Sequence, residues 1–102
     1  MDKGIFGEYN IVYRDGGREM IIQLPNTSSI RSYIQFEKEM YYIINNGTNT
    51  RTLFDAAGIE SISLSVLRVL EKLRLEFGNM KITNMKPEVY EMVRDSGFPD
   101  LC

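Results

Sequence analysis

Few residues of this chain have the type and spacing that catalysis requires. The sequence contains no histidine, the commonest general base near neutral pH. Its single cysteine, Cys102, stands at the last position, where chains usually fray. Four carboxylates, Asp55, Glu60, Glu71 and Glu76, show no spacing that favours acid–base work over a solvated surface. We therefore expect a protein that is not an enzyme and has no catalytic residue.

The sequence also lacks the usual ligands of cofactors, metals, nucleic acids and membranes. It has no glycine-rich phosphate loop and no cluster of metal-ligating residues, so we expect no cofactor and no metal. The formal net charge of −2 gives no electrostatic reason to bind nucleic acid or an anionic membrane. No apolar run approaches the roughly 18 residues of a membrane span, and residues 1–7 do not resemble a signal peptide. Since a single cysteine cannot form an internal disulfide, these features predict a cytoplasmic protein.

The first half of the chain predicts a β-hairpin followed by a helix. Residues 8–13 and 19–24 alternate apolar and polar side chains around a glycine-rich turn, as hairpin strands do. The hydroxyl residues at 27–29 then offer N-cap oxygens for a helix, and Asn-Asn-Gly at 45–47 ends it. The apolar residues that recur at helical spacing are Ile30, Tyr33, Ile34, Met40, Tyr41 and Ile44.

The second half predicts two further strands, each followed by a helix. The strands cover residues 51–55 and 80–83. Pro87 suits the first turn of the last helix, and Gly97 is its expected left-handed stop. The inward side chains of that helix are predicted to be Val89, Met92 and Val93. Because strands joined through helices pair in parallel, the order β-β-α-β-α-β-α predicts one α/β domain over residues 1–102, with helices packed on a mixed sheet.

The helix predicted over residues 65–77 has two apolar surfaces. At 100° per residue, Leu64 and Leu75 lie almost over each other and outside the core stripe, with Arg68 and Glu71 beside them. Single exposed leucines are common, whereas two on one line with a charged rim can form a docking surface. Both interpretations stay open. The core stripe is predicted to be Val66, Val69, Leu70, Leu73 and Phe77, with Leu67 beside it.

The second half contains four short motifs: Leu-Phe-Asp at 53–55, Gly-Ile-Glu at 58–60, Asn-Met-Lys-Pro at 84–87 and Ser-Gly-Phe at 96–98. In their order and spacing they resemble the STAS domain family, the fold of bacterial anti-sigma-factor antagonists. The first two are similar to the family's third strand and the turn after it, and the last two to its last strand exit and its ending. The resemblance covers nearly the whole chain and is strongest over residues 52–102.

The resemblance implies a protein-binding module in bacterial partner-switching signalling or transcription regulation. STAS domains bind partners and are switched by a phosphate at the start of the second helix. The implied partner is an anti-sigma factor, a GHKL-type kinase or a larger signalling complex, and a homodimer is compatible with this. Two alternatives stay open: an accessory subunit of a transporter complex, for ABC lipid transport or anion transport, and a small-molecule sensor on the same scaffold.

The start of the second helix departs from the family's usual Asp-Ser-Ser/Thr-Gly, because this chain reads Ser63-Leu64-Ser65-Val66. Leu64 stands where the accepting hydroxyl usually sits, so the standard switch cannot operate at that residue. Ser63 and Ser65 are the remaining hydroxyls, and each is either a phosphorylation site or a simple N-cap, worth about 0.5–2 kcal/mol. We expect the partner-binding surface to consist of Ser63, Leu64, Ser65, Arg68 and Leu75, with Leu64 as the anchor.

Overall fold

The protein is described by a computed structural model over residues 9–26, 30, 32–47 and 51–102. Four strands and three α-helices form in this part of the chain, with single 3₁₀ turns at Asp15–Gly17 and Pro99–Leu101. The strands and helices in chain order are β1 (Ile11–Arg14), β2 (Glu19–Gln23), α1 (Tyr33–Asn45), β3 (Arg51–Asp55), α2 (Leu64–Phe77), β4 (Met80–Thr83) and α3 (Pro87–Asp95).

The strands form one mixed sheet in the order β1-β2-β3-β4. β1 pairs with β2 antiparallel, as the glycine-rich turn requires, and β2, β3 and β4 are parallel. Helix α1 joins β2 to β3, and α2 joins β3 to β4, so both connections advance across the sheet in the same direction. Right-handed connections of this kind put both helices on one face. The predicted element order and fold class are confirmed.

The core lies between that face of the sheet and the three helices. The register places Ile22, Phe54 and Ile82 side by side on neighbouring strands, and all three are buried. The helices cover this row with fully buried side chains, including Leu70 of α2 and Val93 of α3. The three helices therefore belong to one continuous core.

Only part of the apolar repeat predicted for α1 is buried. Phe36, Met40 and Ile44 are buried, whereas Ile34 is 72% exposed and Tyr41 is also exposed, so not all the apolar residues that recur at helical spacing face the core. Residues four apart stay on one face of a helix, while Ile34 is rotated by about 120° from Met40. The N-cap predicted at 27–29 lies outside the described residues.

Helix α1 begins instead after Ser32, whose side-chain oxygen accepts a hydrogen bond of 3.2 Å from the backbone N–H of Gln35.

Helix α3 and the turn after it follow the sequence prediction with one exception. Val89 and Val93 are fully buried, but Met92 is 39% exposed, because it is rotated by about 100° from Val93. Gly97 has a φ of 91° and ends the helix in the left-handed region. The Phe98 N–H donates to the Val93 carbonyl at 3.2 Å, and the Phe98 side chain packs against the core.

We expect Leu70→Ala to lower the free energy of unfolding by about 2–5 kcal/mol, because Leu70 is fully buried and its loss leaves a cavity. Leu75→Ala, on the exposed side of the same helix, serves as the control and should change it by less than about 0.5 kcal/mol. Urea denaturation of both variants measures the difference. Equal losses would contradict the assignment of the core face of α2.

Candidate functional site

The candidate site is the start and outer side of α2. Ser63 is the N-cap of this helix, and its Oγ accepts a hydrogen bond of 3.2 Å from the backbone N–H of Val66. Its carbonyl accepts the first intrahelical bond, from Leu67 at 3.1 Å. Of the two interpretations of Ser63, the capping role is therefore present in the structure. The helix begins at Leu64, one residue earlier than predicted.

The loop before α2 is held by the ends of β3 and β4. Asp55 accepts hydrogen bonds at one side-chain oxygen from the Ala57 N–H at 3.0 Å and from the Asn84 amide at 3.1 Å. Because Asp55 ends β3 and Asn84 directly follows the neighbouring parallel strand β4, this contact ties the two strand exits together. The loop continues over two buried residues, Ile59 and Ile62, directly before Ser63. These contacts fix the place at which α2 starts.

The loop is also tied to the start of α3. Lys86, the residue before that helix, forms an ion pair with Glu60. This pair and the Asp55–Asn84 contact join segments 26 and 29 residues apart in sequence.

The core face of α2 agrees with the sequence prediction. Val66, Val69, Leu70 and Leu73 are buried, and Phe77 is partly buried against the core. The ring of Phe77 lies 5.2 Å from the ring of Tyr41 on α1, measured between centroids. Leu67, predicted to lie beside the core stripe, is also fully buried.

The opposite side of α2 exposes a line of residues that we call the outer ridge: Leu64, Arg68 and Leu75. Leu64 is 39% exposed and Leu75 is 71% exposed, and Arg68 is exposed between them. At 1.5 Å per residue the ridge is about 16 Å long. Within the part of the chain that the structure describes, the Arg68 guanidinium has no hydrogen-bond or ion-pair partner.

Three charged residues beside the outer ridge, Glu71, Lys72 and Arg74, are already paired within the domain. Lys72 contacts Glu37 of α1 at 2.6 Å, and this carboxylate raises the pKa of Lys72. Arg74 donates two hydrogen bonds to Glu71, of 2.8 and 3.0 Å, which lower the pKa of the Glu71 carboxyl. Among the residues that the structure describes, Arg68 is thus an exposed cation on this side of α2 that is not engaged in an internal pair.

The structure brings all five predicted site residues onto one helix start and one helix side. Ser63 and Ser65 are half-buried at the first turn, and the outer ridge extends from there toward the end of α2. The predicted site did not include Glu37 or Lys72. Their contact spans 35 residues and two helices, and no local spacing in the sequence reveals it.

The described residues give no sign of a metal site or a membrane span. No group of three or more acidic or cysteine side chains in these ranges is placed to hold a metal ion. Among the same residues, no helix is long and apolar enough to cross a membrane.

Comparison with known proteins identifies the fold. No protein-family model and no curated protein matches the sequence. The structure is similar to an RsbS protein of Moorella thermoacetica that carries a serine-to-glutamate substitution, with a TM-score of 0.68 and 23% identity over 88% of this chain and 78% of that one. It is also similar to a chain of the stressosome, a signal integration and transduction hub, with a TM-score of 0.70 and 23% identity over 88% and 80% of the two chains.

This chain has the STAS fold. The resemblance inferred from the motifs after residue 52 is thereby confirmed at the level of the fold. The start of the second helix, where the resemblance implies a switch, is formed here by Ser63 and Leu64.

We expect Ser63→Ala to lower the free energy of unfolding by about 0.5–2 kcal/mol, since it removes the oxygen that caps the helix. Ser63→Asp should keep most of the stability, because aspartate is an equally good N-cap. Ser65→Ala is the control, since Ser65 lies inside the helix and should cost less than about 0.5 kcal/mol. Thermal or urea unfolding of the three variants checks this, and a larger loss for Ser65→Ala than for Ser63→Ala would refute the capping role.

Proposed function

We propose that this STAS domain is a non-enzymatic binding module of bacterial partner-switching signalling, acting in the cytoplasm on a regulator of transcription. The observation that carries the proposal is the outer ridge of α2, where an exposed Arg68, which has no partner among the described residues, lies between two exposed leucines. The fold shared with RsbS and with a stressosome chain supports the signalling context.

The outer ridge has the composition of a small docking surface. Binding energy at protein interfaces concentrates in a few buried anchors, of which arginine is one of the preferred types. Covering Leu64 and Leu75 would remove apolar area from water, which is favourable by roughly 25 cal/mol per Å². A carboxylate of the partner would pair with Arg68 in a charge-assisted hydrogen bond. The partner we propose is an anti-sigma factor, a GHKL-type kinase or a neighbouring subunit of a larger signalling complex.

We further propose that the module acts without a phosphate switch at the second helix. Leu64 has no hydroxyl, and the Ser63 hydroxyl oxygen is engaged in capping. An apolar side chain at this position contributes to binding in the same way at all times, since no kinase can change its charge. The on–off control of the complex would then reside in the partner.

The double substitution Leu64→Asp with Leu75→Lys should abolish capture of the partner from an extract of the source cells while leaving the melting temperature nearly unchanged. The reason is that it puts charge where the partner needs apolar contact, whereas exposed positions contribute within about 0.5 kcal/mol to folding. Pull-down with mass spectrometry and a thermal melt measure the two effects.

The matched control is Met92→Asp, since Met92 on α3 is as exposed as Leu64. It should leave the captured partner unchanged. Loss of the partner in this control, or an intact partner list in the double variant, would show that the outer ridge is not the docking surface. A large drop in melting temperature for the double variant would mean that its leucines support the core.

Incubation with ATP and the captured kinase should leave the wild-type chain unphosphorylated, because position 64 offers no hydroxyl. Leu64→Ser restores a hydroxyl at the first residue of α2, where free N–H groups and the helix dipole stabilise a phosphate. This variant should gain phosphate, which intact-protein mass spectrometry detects. Stoichiometric phosphate on Ser63 or Ser65 of the wild-type chain would overturn the proposal of a module without a switch.

A further inference from the structure

Strand β1 forms one edge of the sheet, and within the described residues it pairs only with β2. The Asn10 carbonyl accepts a hydrogen bond of 2.9 Å from the Gln23 N–H. Since hydrogen-bonded pairs alternate in an antiparallel ladder, Val12 also directs its backbone groups at β2. The N–H and C=O groups of Ile11 and Tyr13 consequently point outward, where they can pair with another strand.

The face of the sheet opposite the helices carries an apolar row that reaches this edge. The register aligns Val12, Ile21 and Leu53 across β1, β2 and β3 on that face. Exposure increases along the row, from buried Leu53 to Val12, which is 54% exposed. The row therefore ends at the edge with an uncovered side chain.

Paired polar side chains lie on both sides of this row. On one side Asn10 donates to Gln23 at 2.8 Å. On the other side Glu19 pairs with Arg14 at 3.4 Å and with Arg51 at 3.6 Å. The Asn10–Gln23 flank is uncharged, whereas the two arginines with one glutamate leave a net charge of +1 on the other flank. An antiparallel pairing that sets one flank beside the other therefore brings no like charges together.

We propose that the edge of β1 binds β1 of a second copy of this chain, antiparallel, with the two-fold axis passing beside Val12. In this register Ile11 lies opposite the partner's Tyr13, and Tyr13 lies opposite the partner's Ile11. The outward backbone groups of these residues then form two hydrogen-bonded pairs, each with two N–H···O bonds. Val12 faces the partner's Val12, so the apolar row continues across the interface.

Charge and backbone conformation favour this register over the one in which the two-fold axis passes beside Tyr13. With the axis at Val12, Arg14 lies opposite the partner's Asn10, and no like charges meet. With the axis at Tyr13, Val12 would lie opposite the partner's Arg14. Ile11 would then lie opposite the partner's Asp15, whose φ of 55° lies outside the strand conformation, and its hydrogen-bonded pair would be lost.

Dimerisation through β1 goes beyond the proposed function and does not depend on it. Helix α2 joins β3 to β4, near the edge of the sheet opposite β1. The outer ridge therefore stays accessible in both copies. A dimer would present two docking surfaces, which raises the apparent affinity for a partner that is itself multivalent. The contact is a short strand pair, so we expect a weak dimer that forms reversibly with concentration.

Sedimentation equilibrium of the full chain from about 10 μM to about 1 mM tests the proposal, a range that covers weak association. The wild-type chain should shift from monomer toward dimer. Val12→Lys and Val12→Glu should each raise the dimer dissociation constant about tenfold, because residue 12 then places like charges opposite each other. An equimolar mixture of the two variants should associate at least as well as the wild type, since lysine then faces glutamate.

One control and one further test variant complete the design. Ile34→Lys, at a highly exposed site on α1, should leave the dimer unchanged. Tyr13→Pro should weaken the dimer with little effect on the melting temperature, because the N–H that it removes points away from β2.

Several outcomes would overturn the proposal. A wild-type chain that stays monomeric over the whole range would exclude the dimer, and the outer ridge of α2 would be unaffected as a docking surface. A dimer of Val12→Glu alone would indicate the register centred on Tyr13, with glutamate paired to the partner's Arg14. A mixture of the two charged variants that does not associate would show that residue 12 does not face itself.

Discussion

The structure depends on the burial of one face of a four-stranded sheet under three helices. Phe54 lies at the centre of this face, between Ile22 and Ile82 on the neighbouring strands, and all three side chains are buried. Because both helical connections must cross on the same side, α2 has one apolar face committed to the sheet. Its other face is left to solvent, and the exposure of Leu64, Arg68 and Leu75 follows from this geometry.

The sequence alone predicts the core side of a helix when its apolar residues define one buried face. Helix α2 has one, because Val66, Val69, Leu70 and Leu73 are apolar and the residues on the far side include charges. Helix α1 carries apolar residues on all sides, so its sequence does not define one buried face. The position of the sheet decides that Phe36 is buried and Ile34 exposed. Local periodicity cannot supply that information.

Contacts between distant segments could not be predicted from the sequence, for a different reason. The Asp55–Asn84 hydrogen bond joins residues 29 apart and depends on two parallel strands ending at the same edge of the sheet. The Lys72–Glu37 pair depends on α1 and α2 lying side by side. The residues of each pair are visible in the sequence, but only the topology of the fold brings them into contact. The motifs around Asp55 and Asn84 nevertheless indicate strand ends, because they resemble the ends of strands in the STAS family.

The start of α2 shows how one set of backbone groups can serve either stability or regulation. The free N–H groups of a helix N-terminus can receive a capping oxygen or stabilise a phosphate. In this chain the Ser63 oxygen takes the Val66 N–H, and the next residue is a leucine that can bind only through apolar contact. A phosphate would alter the charge of such a surface by about −1.5 to −2, whereas leucine gives it a constant character. Under the proposed function, control of a contact made by such a surface resides in the partner, and the proposed weak dimer through β1 would add a second contact at the opposite edge of the sheet.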